Sequence, residues 1–167
     1  FSLLQEEQAL FSLPSSQCAI LNRVVGGTQT EIFGKVECNG QLILINPSGI
    51  LFGPNATINT FSLIASSMDI LDQDFLKGDD LHFASHNGQP VSNEGQLSAE
   101  GNIYLLAPSA FQTGSCQSTN GQVAIESCQN AIMCSSDGKI RLSSEQLEQL
   151  GKREIHFSGY LQALEAI

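Results

Sequence analysis

The stretch Gly34-Lys35-Val36-Glu37-Cys38-Asn39-Gly40-Gln41-Leu42-Ile43-Leu44 recurs twice further along the chain. It lies over Gly95-Gln96-Leu97-Ser98-Ala99-Glu100-Gly101-Asn102-Ile103-Tyr104-Leu105. With one residue inserted, it also lies over Gly114-Ser115-Cys116-Gln117-Ser118-Thr119-Asn120-Gly121-Gln122-Val123-Ala124-Ile125. The shared template is Gly-x-apolar-x-small-x-Gly-x-apolar-x-apolar, and corresponding glycines of the last two copies are 19 and 20 residues apart (Gly95 to Gly114, Gly101 to Gly121). Alternation with period two is the pattern of a strand. A fixed repeat of about 20 residues made of short strands is the pattern of a solenoid coil, which pairs only with the coils above and below it. The apolar positions then stack in interior columns, with Val36, Leu97 and Cys116 in one and Leu42, Ile103 and Val123 in another. A column that takes Cys in place of Leu uses the thiol as a small hydrophobe. Regularly spaced short strands also suit a β-sandwich, which the spacing leaves open.

The rest of the chain is read outward from this repeat. Helical periodicity is nearly absent before Ser143, and Gln41–Ile45, Gly49–Phe52, Asn102–Leu106, Gln122–Ile125 and Lys139–Leu142 are each strand-sized with a Gly at or near the entry. The segment from Ser66 to Gln89 breaks the register and holds Asp69, Asp72, Asp74, Asp79 and Asp80, so it reads as a hairpin-like excursion packed on the flank of the coil. Ser143 to Gly151 has a Ser cap, Gln146 three residues on and a Gly stop, which predicts a short helix. The half-template returns at Gly159-Tyr160-Leu161-Gln162-Ala163, so the coil is expected to continue past Ile167.

Composition narrows the function classes. Seventeen acidic against seven basic residues give a formal net charge of −10, which disfavours nucleic acid and anionic membrane surfaces as partners. No apolar run, Leu42-Ile43-Leu44-Ile45 included, comes near the ~20 residues a spanning helix needs, so no stable membrane insertion is expected. The five cysteines (Cys18, Cys38, Cys116, Cys128, Cys134) are odd in number and show no C-x-x-C pair, which speaks against a disulfide framework and a zinc site. No nucleophile elbow, phosphate loop or dinucleotide fingerprint occurs, so no catalytic residue, cofactor or metal is expected.

A family resemblance enters with the motifs between Cys18 and Ile70. Ala19-Ile20-Leu21-Asn22-Arg23-Val24-Val25-Gly26-Gly27, Ile32-Phe33-Gly34, Asn39 to Gly53, Ala56-Thr57-Ile58-Asn59 and Leu63-Ile64-Ala65-Ser66-Ser67 occur in that order. This string resembles the amino-terminal two-partner secretion (TPS) domain of filamentous haemagglutinin-like exoproteins. The resemblance implies an all-β, right-handed parallel β-helix, residues 1–167 being one domain truncated at both ends. It implies a non-enzymatic secretion signal of a large exoprotein or adhesin. Such a signal is read in the periplasm of a Gram-negative bacterium by the POTRA domains of an outer-membrane TpsB-type transporter, and it folds outside the cell, where a passenger region can meet a host-cell surface. The family's Asn-Pro-Asn-Gly turn stands here as Asn46-Pro47-Ser48-Gly49, and Pro second with Gly fourth fits a type I turn.

Two groups are therefore singled out for transporter recognition: Asn46, Pro47, Ser48 and Gly49, and the pair Asn22 and Arg23. The structural alternative makes the first a turn between coils. For the second it makes Asn22 a buried residue bonded to backbone and pairs Arg23 with a local carboxylate. Asp79 and Asp80 bring to mind the paired acids of β-helical polysaccharide hydrolases, which is the rival functional reading; their acidic, Gly-bounded surroundings predict a solvated loop instead. His82 and His86, four apart, would share a face only on a helix, and Gly78 and Gly88 bracket a non-helical stretch. A plain adhesive stalk without a secretion role is the remaining rival.

Overall fold

A computed structural model of the chain describes residues 1–135 and, beyond them, strands at 140–141, 155–157, 160–162 and 165–166. Strands β1 (Gln8–Phe11), β2 (Ala19–Arg23) and β3 (Thr30–Ile32) make the first coil of a three-faced parallel β-helix. The second coil is β4 (Lys35–Ile45), which runs across two faces, and β5 (Ile50–Phe52). The third begins with β6 (Thr57–Ser66), again across two faces. The chain then leaves through helix α1 (Asp72–Lys77) and β7 (Leu81–Ala84) before β8 (Val91–Asn93) completes the coil. The fourth is β9 (Gln96–Ala99), β10 (Ile103–Ala107) and β11 (Ala110–Gln112). The fifth opens with β12 (Ser115–Ser118) and β13 (Gln122–Ser127). The chain leaves again through β14 (Asn130–Met133) and β15 (Ile140–Arg141), and β16 (Ile155–Phe157) lies on the third face. Strands β17 (Tyr160–Gln162) and β18 (Glu165–Ala166) begin a sixth coil.

Every pairing on the three faces is parallel, and the columns expected from the repeat are present. Val36 lies beside Ile58, Ile58 beside Leu97 and Leu97 beside Cys116; Leu42 lies beside Leu63, Leu63 beside Ile103 and Ile103 beside Val123. These residues, with Ile32, Ile50, Phe52 and Val91, form one continuous buried interior. Each such side chain removed from water contributes about 1.5–3 kcal/mol, so a column of four or five is what holds neighbouring coils in register. Leu161 falls beside Cys116, so Tyr160–Gln162 of the returning half-template rejoin the stack.

The glycines of the repeat are needed for a reason other than tight turning. None of them takes a left-handed φ, which among the described residues occurs only at Gly27, Gly49, Gly78 and Gly88. The corners of successive coils instead stack so closely that a Cβ on Gly95 would sit 2.6 Å from the carbonyl oxygens of both Gly53 and Ala56, and one on Gly114 would meet the carbonyl of Gly95.

The excursion after Ser66 is present, but it is more than a hairpin. It holds α1, a six-residue helix with no buried residue and Gly78 as its left-handed cap, which the sequence reading missed. Asp69 and Ala84 exchange two backbone hydrogen bonds of 2.9 Å, and the strand partner of β7 is β14, from the fifth coil, running antiparallel. A second apolar cluster fills the space beneath, where Ile43, Ile45, Ile64, Tyr104, Leu106 and Ala124 from the second face meet Met68, Ile70, Leu81, Phe83 and Ala131 from the flank. The helix expected at Ser143–Gly151 lies outside the described residues.

Candidate functional site

Both groups of singled-out residues fall at one corner of the coil, where the second face turns into the third. β2 and β4 pair in parallel with Asn22 beside Leu44 and Arg23 beside Ile45, so Arg23 stands next to the entrance of the Asn46 turn.

Asn46 has no solvent exposure. A fully buried amide is tolerated only when its donors and acceptors are matched, and here they are. Its Nδ2 donates to the Thr28 carbonyl at 2.8 Å and to Thr30 Oγ1 at 2.9 Å, and its Oδ1 accepts the Ser48 amide at 2.9 Å. Its backbone N–H donates to the Ser66 carbonyl at 3.0 Å, and its carbonyl accepts the Gly49 N–H at 2.9 Å. Gly49 has φ +97°, a conformation that favours glycine, and a Cβ there would also sit 3.1 Å from the Pro90 carbonyl. With a closing bond from residue 46 to 49 and no left-handed φ at Ser48, the backbone fits the expected type I turn. Pro47 and Ser48 are half-buried. The turn thus joins three coils: Thr28 and Thr30 of the first, its own second, and Ser66 and Pro90 of the third.

Arg23 reaches out of the coil to the excursion. Its Nε donates to Asp69 Oδ1 at 2.8 Å, Nη1 to the Asp72 carboxylate, and Nη2 to the Ile70 carbonyl at 2.7 Å. Partial burial works against the guanidinium charge, but the Asp72 and Asp69 carboxylates more than offset it, so its pKa lies above the ordinary arginine value. The carboxylate partner was expected to be local; it comes instead from 46 and 49 residues further on. Asn22 departs from its expected structural role. It is half-buried, and strand alternation with Ile20 and Val24, which pack on the interior, turns it inward. No side-chain hydrogen bond joins it to any of the described residues.

The remaining candidates do not assemble into chemistry. Asp79 is exposed, whereas Asp80 accepts hydrogen bonds from the Ser135 amide at 2.7 Å and hydroxyl at 3.0 Å. His82 lies on β7 facing Asp74 at 3.4 Å, while His86 is in the following loop. Among the described residues no group of three or more His, Cys, Asp or Glu could hold a metal, and no helix is long and apolar enough to cross a membrane. Sequence reading missed the interior amides Asn93 and Gln112, adjacent in the third-face column, with Asn93 Nδ2 3.1 Å from Gln112 Oε1. An amide at an apolar register position was the signal available.

Comparison with known proteins places this geometry. The family model described as TPS secretion domain matches residues 1–86. The heme/hemopexin-binding protein of Haemophilus influenzae strain Rd is 29% identical over 154 residues, covering 87% of this chain and 17% of that protein. A second Haemophilus influenzae heme/hemopexin-binding protein is 34% identical over 70 residues, 42% of this chain and 8% of that protein. The chain therefore spans less than a fifth of the length of either relative. Among solved structures, the HMW1 secretion domain from Haemophilus influenzae superposes with a TM-score of 0.80 at 26% identity, over 86% of this chain and 40% of that one.

Proposed function

The chain belongs to the family of TPS secretion domains, and we propose that a partner transporter reads it before it folds. Proteins of this family are secreted exoproteins, and their partner is a TpsB-type transporter. In our reading the contact is made by the POTRA domains of that transporter in the periplasm of a Gram-negative cell. The chain then crosses the outer membrane unfolded, and the β-helix forms outside. The domain does no catalysis, and the comparisons give no support to a polysaccharide-active alternative. The heme and hemopexin in the relatives' names belong to proteins of which this chain covers 17% and 8%, so any such ligand, or a host-cell surface, is a matter for the passenger region.

The observation that carries this reading is the burial of Asn46. A side chain with no solvent exposure and all of its bonds made internally offers nothing to a partner once the coil is built. If Asn46 is recognised, in concert with its neighbours Pro47, Ser48 and Gly49 and with Asn22 and Arg23, its enclosure requires that recognition precede folding. An unfolded, low-charge, strand-forming segment is also suited to pairing as an added strand on a partner's sheet edge.

The test dilutes the unfolded chain from denaturant into the purified periplasmic fragment of its transporter and follows the growth of β-sheet circular dichroism. The fragment should retard folding stoichiometrically and show no binding to the chain once folded. Equal binding to the folded chain would contradict recognition before folding.

A further inference from the structure

The two departures from the coil leave from the same corner, after Ser66 in the third coil and after Ser127 in the fifth, and they meet outside it. We propose that this flank is a clasp that couples the first coil to the fifth and makes the stack unfold as one body. In a plain solenoid each coil contacts only its neighbours, so the two ends are thermodynamically remote. Here a single layer touches all five. Arg23 of the first coil is bonded to Asp69, Asp72 and the Ile70 carbonyl. Residues 69–84 close on themselves through the paired 2.9 Å bonds of Asp69 and Ala84, and β7 lies in register against β14 from Leu81 with Met133 to Ala84 with Asn130. Asp80 holds Ser135, and Ser85 donates to the Gln129 carbonyl at 2.8 Å. Beneath, the apolar cluster takes Ile43 and Ile45 from the second coil, Ile64 from the third, Tyr104 and Leu106 from the fourth and Ala124 from the fifth.

The whole layer is complete only when Arg23, the excursion and β14 are all available on the same side of a membrane. For a chain exported unfolded, which rests on the reading above, the flank would close only once both the excursion and β14 have emerged, and would then oppose return. The coupling itself does not depend on that reading and can be measured on the purified protein.

Ser85 bonds Gln129, so antiparallel alternation makes Phe83 and Ala131 the next pair that exchanges N–H and C=O bonds. Ala131→Pro removes that donor. The clasp predicts that it raises hydrogen exchange at least tenfold not only in β7 but also in β2, more than a hundred residues earlier. Arg23→Gln, a change at a partly exposed site that leaves the interior untouched, should reciprocally raise exchange in β14 while the folded β-sheet signal is kept. Unchanged β2 protection in a folded Ala131→Pro chain, or unchanged β14 protection in Arg23→Gln, would overturn the proposal. Were Ala131→Pro not to fold, the Arg23→Gln result alone would decide it.

Discussion

Cys116 occupies the position that Val36, Ile58 and Leu97 hold in the same column, with no solvent exposure. Its thiol donates to Gln112 Oε1 at 3.4 Å, and the Asn93 amide points at its sulfur at 3.5 Å. Burial disfavours the thiolate and pushes the pKa from the usual 9.0 up to about 12, although the two amides pull slightly the other way. In the unfolded chain the thiol ionises from about pH 9 upward, whereas in the folded one it stays neutral. The folded pKa is the raised one, so the contribution is complete below pH 9 and is lost as pH climbs towards 12. The slope is about 1.4 kcal/mol per unit at most. Denaturant titrations at pH 8 and pH 10 should show a steeper loss for the parent than for Cys116→Ala, and thiol reagents should spare Cys116 until the chain is unfolded. Equal slopes, or rapid labelling of the folded protein at this site, would remove Cys116 from the shaft. Its inward position was readable from the repeat, because stacking forces like residues into like places. The amides beside it were not, because one Asn or Gln in an apolar register does not reveal its partner.

Stacking also explains what the glycines do at the level of strands and corners. Gly95 has ordinary backbone torsion, but two carbonyl oxygens of the preceding coil lie where its Cβ would be. Gly95→Ala must therefore separate two coils, at a cost of about 1–3 kcal/mol typical of overpacking. Gly26 has nothing within 4 Å of an added Cβ, and Gly26→Ala should be neutral or slightly stabilising through the unfolded chain. Urea midpoints for the two variants test this, and equal midpoints would contradict the close-approach account. The strands themselves were legible because alternation between interior and exterior imposes period two on residues such as Leu42 to Ile45. Helix α1 was not, since six residues with no buried side chain impose no period at all. Nor was the partner of β7, because Leu81–Ala84 and Asn130–Met133 are four-residue strands whose pairing is decided by two coil corners coming together in space.

Across the whole molecule, one corner carries three things: the Asn46 turn, the Arg23 ion pairs and the exits of both excursions. The sequence marked Asn46-Pro47-Ser48-Gly49 as a turn and offered Arg23 a carboxylate. It did not show that Asn46 would be wholly enclosed, since its partners Thr28, Thr30 and Ser66 belong to coils that only the three-dimensional stack brings together. That enclosure joins fold to function, because a group needed for the coil is hidden by it, and a transporter that reads such a group must do so first. The most direct measurement fuses this segment, behind a signal peptide, to a reporter in cells that do or do not carry the cognate transporter, with and without residues 21–67. The account predicts transporter-dependent appearance of the reporter outside the cell, abolished by the deletion. Export that survives the deletion unchanged would contradict it.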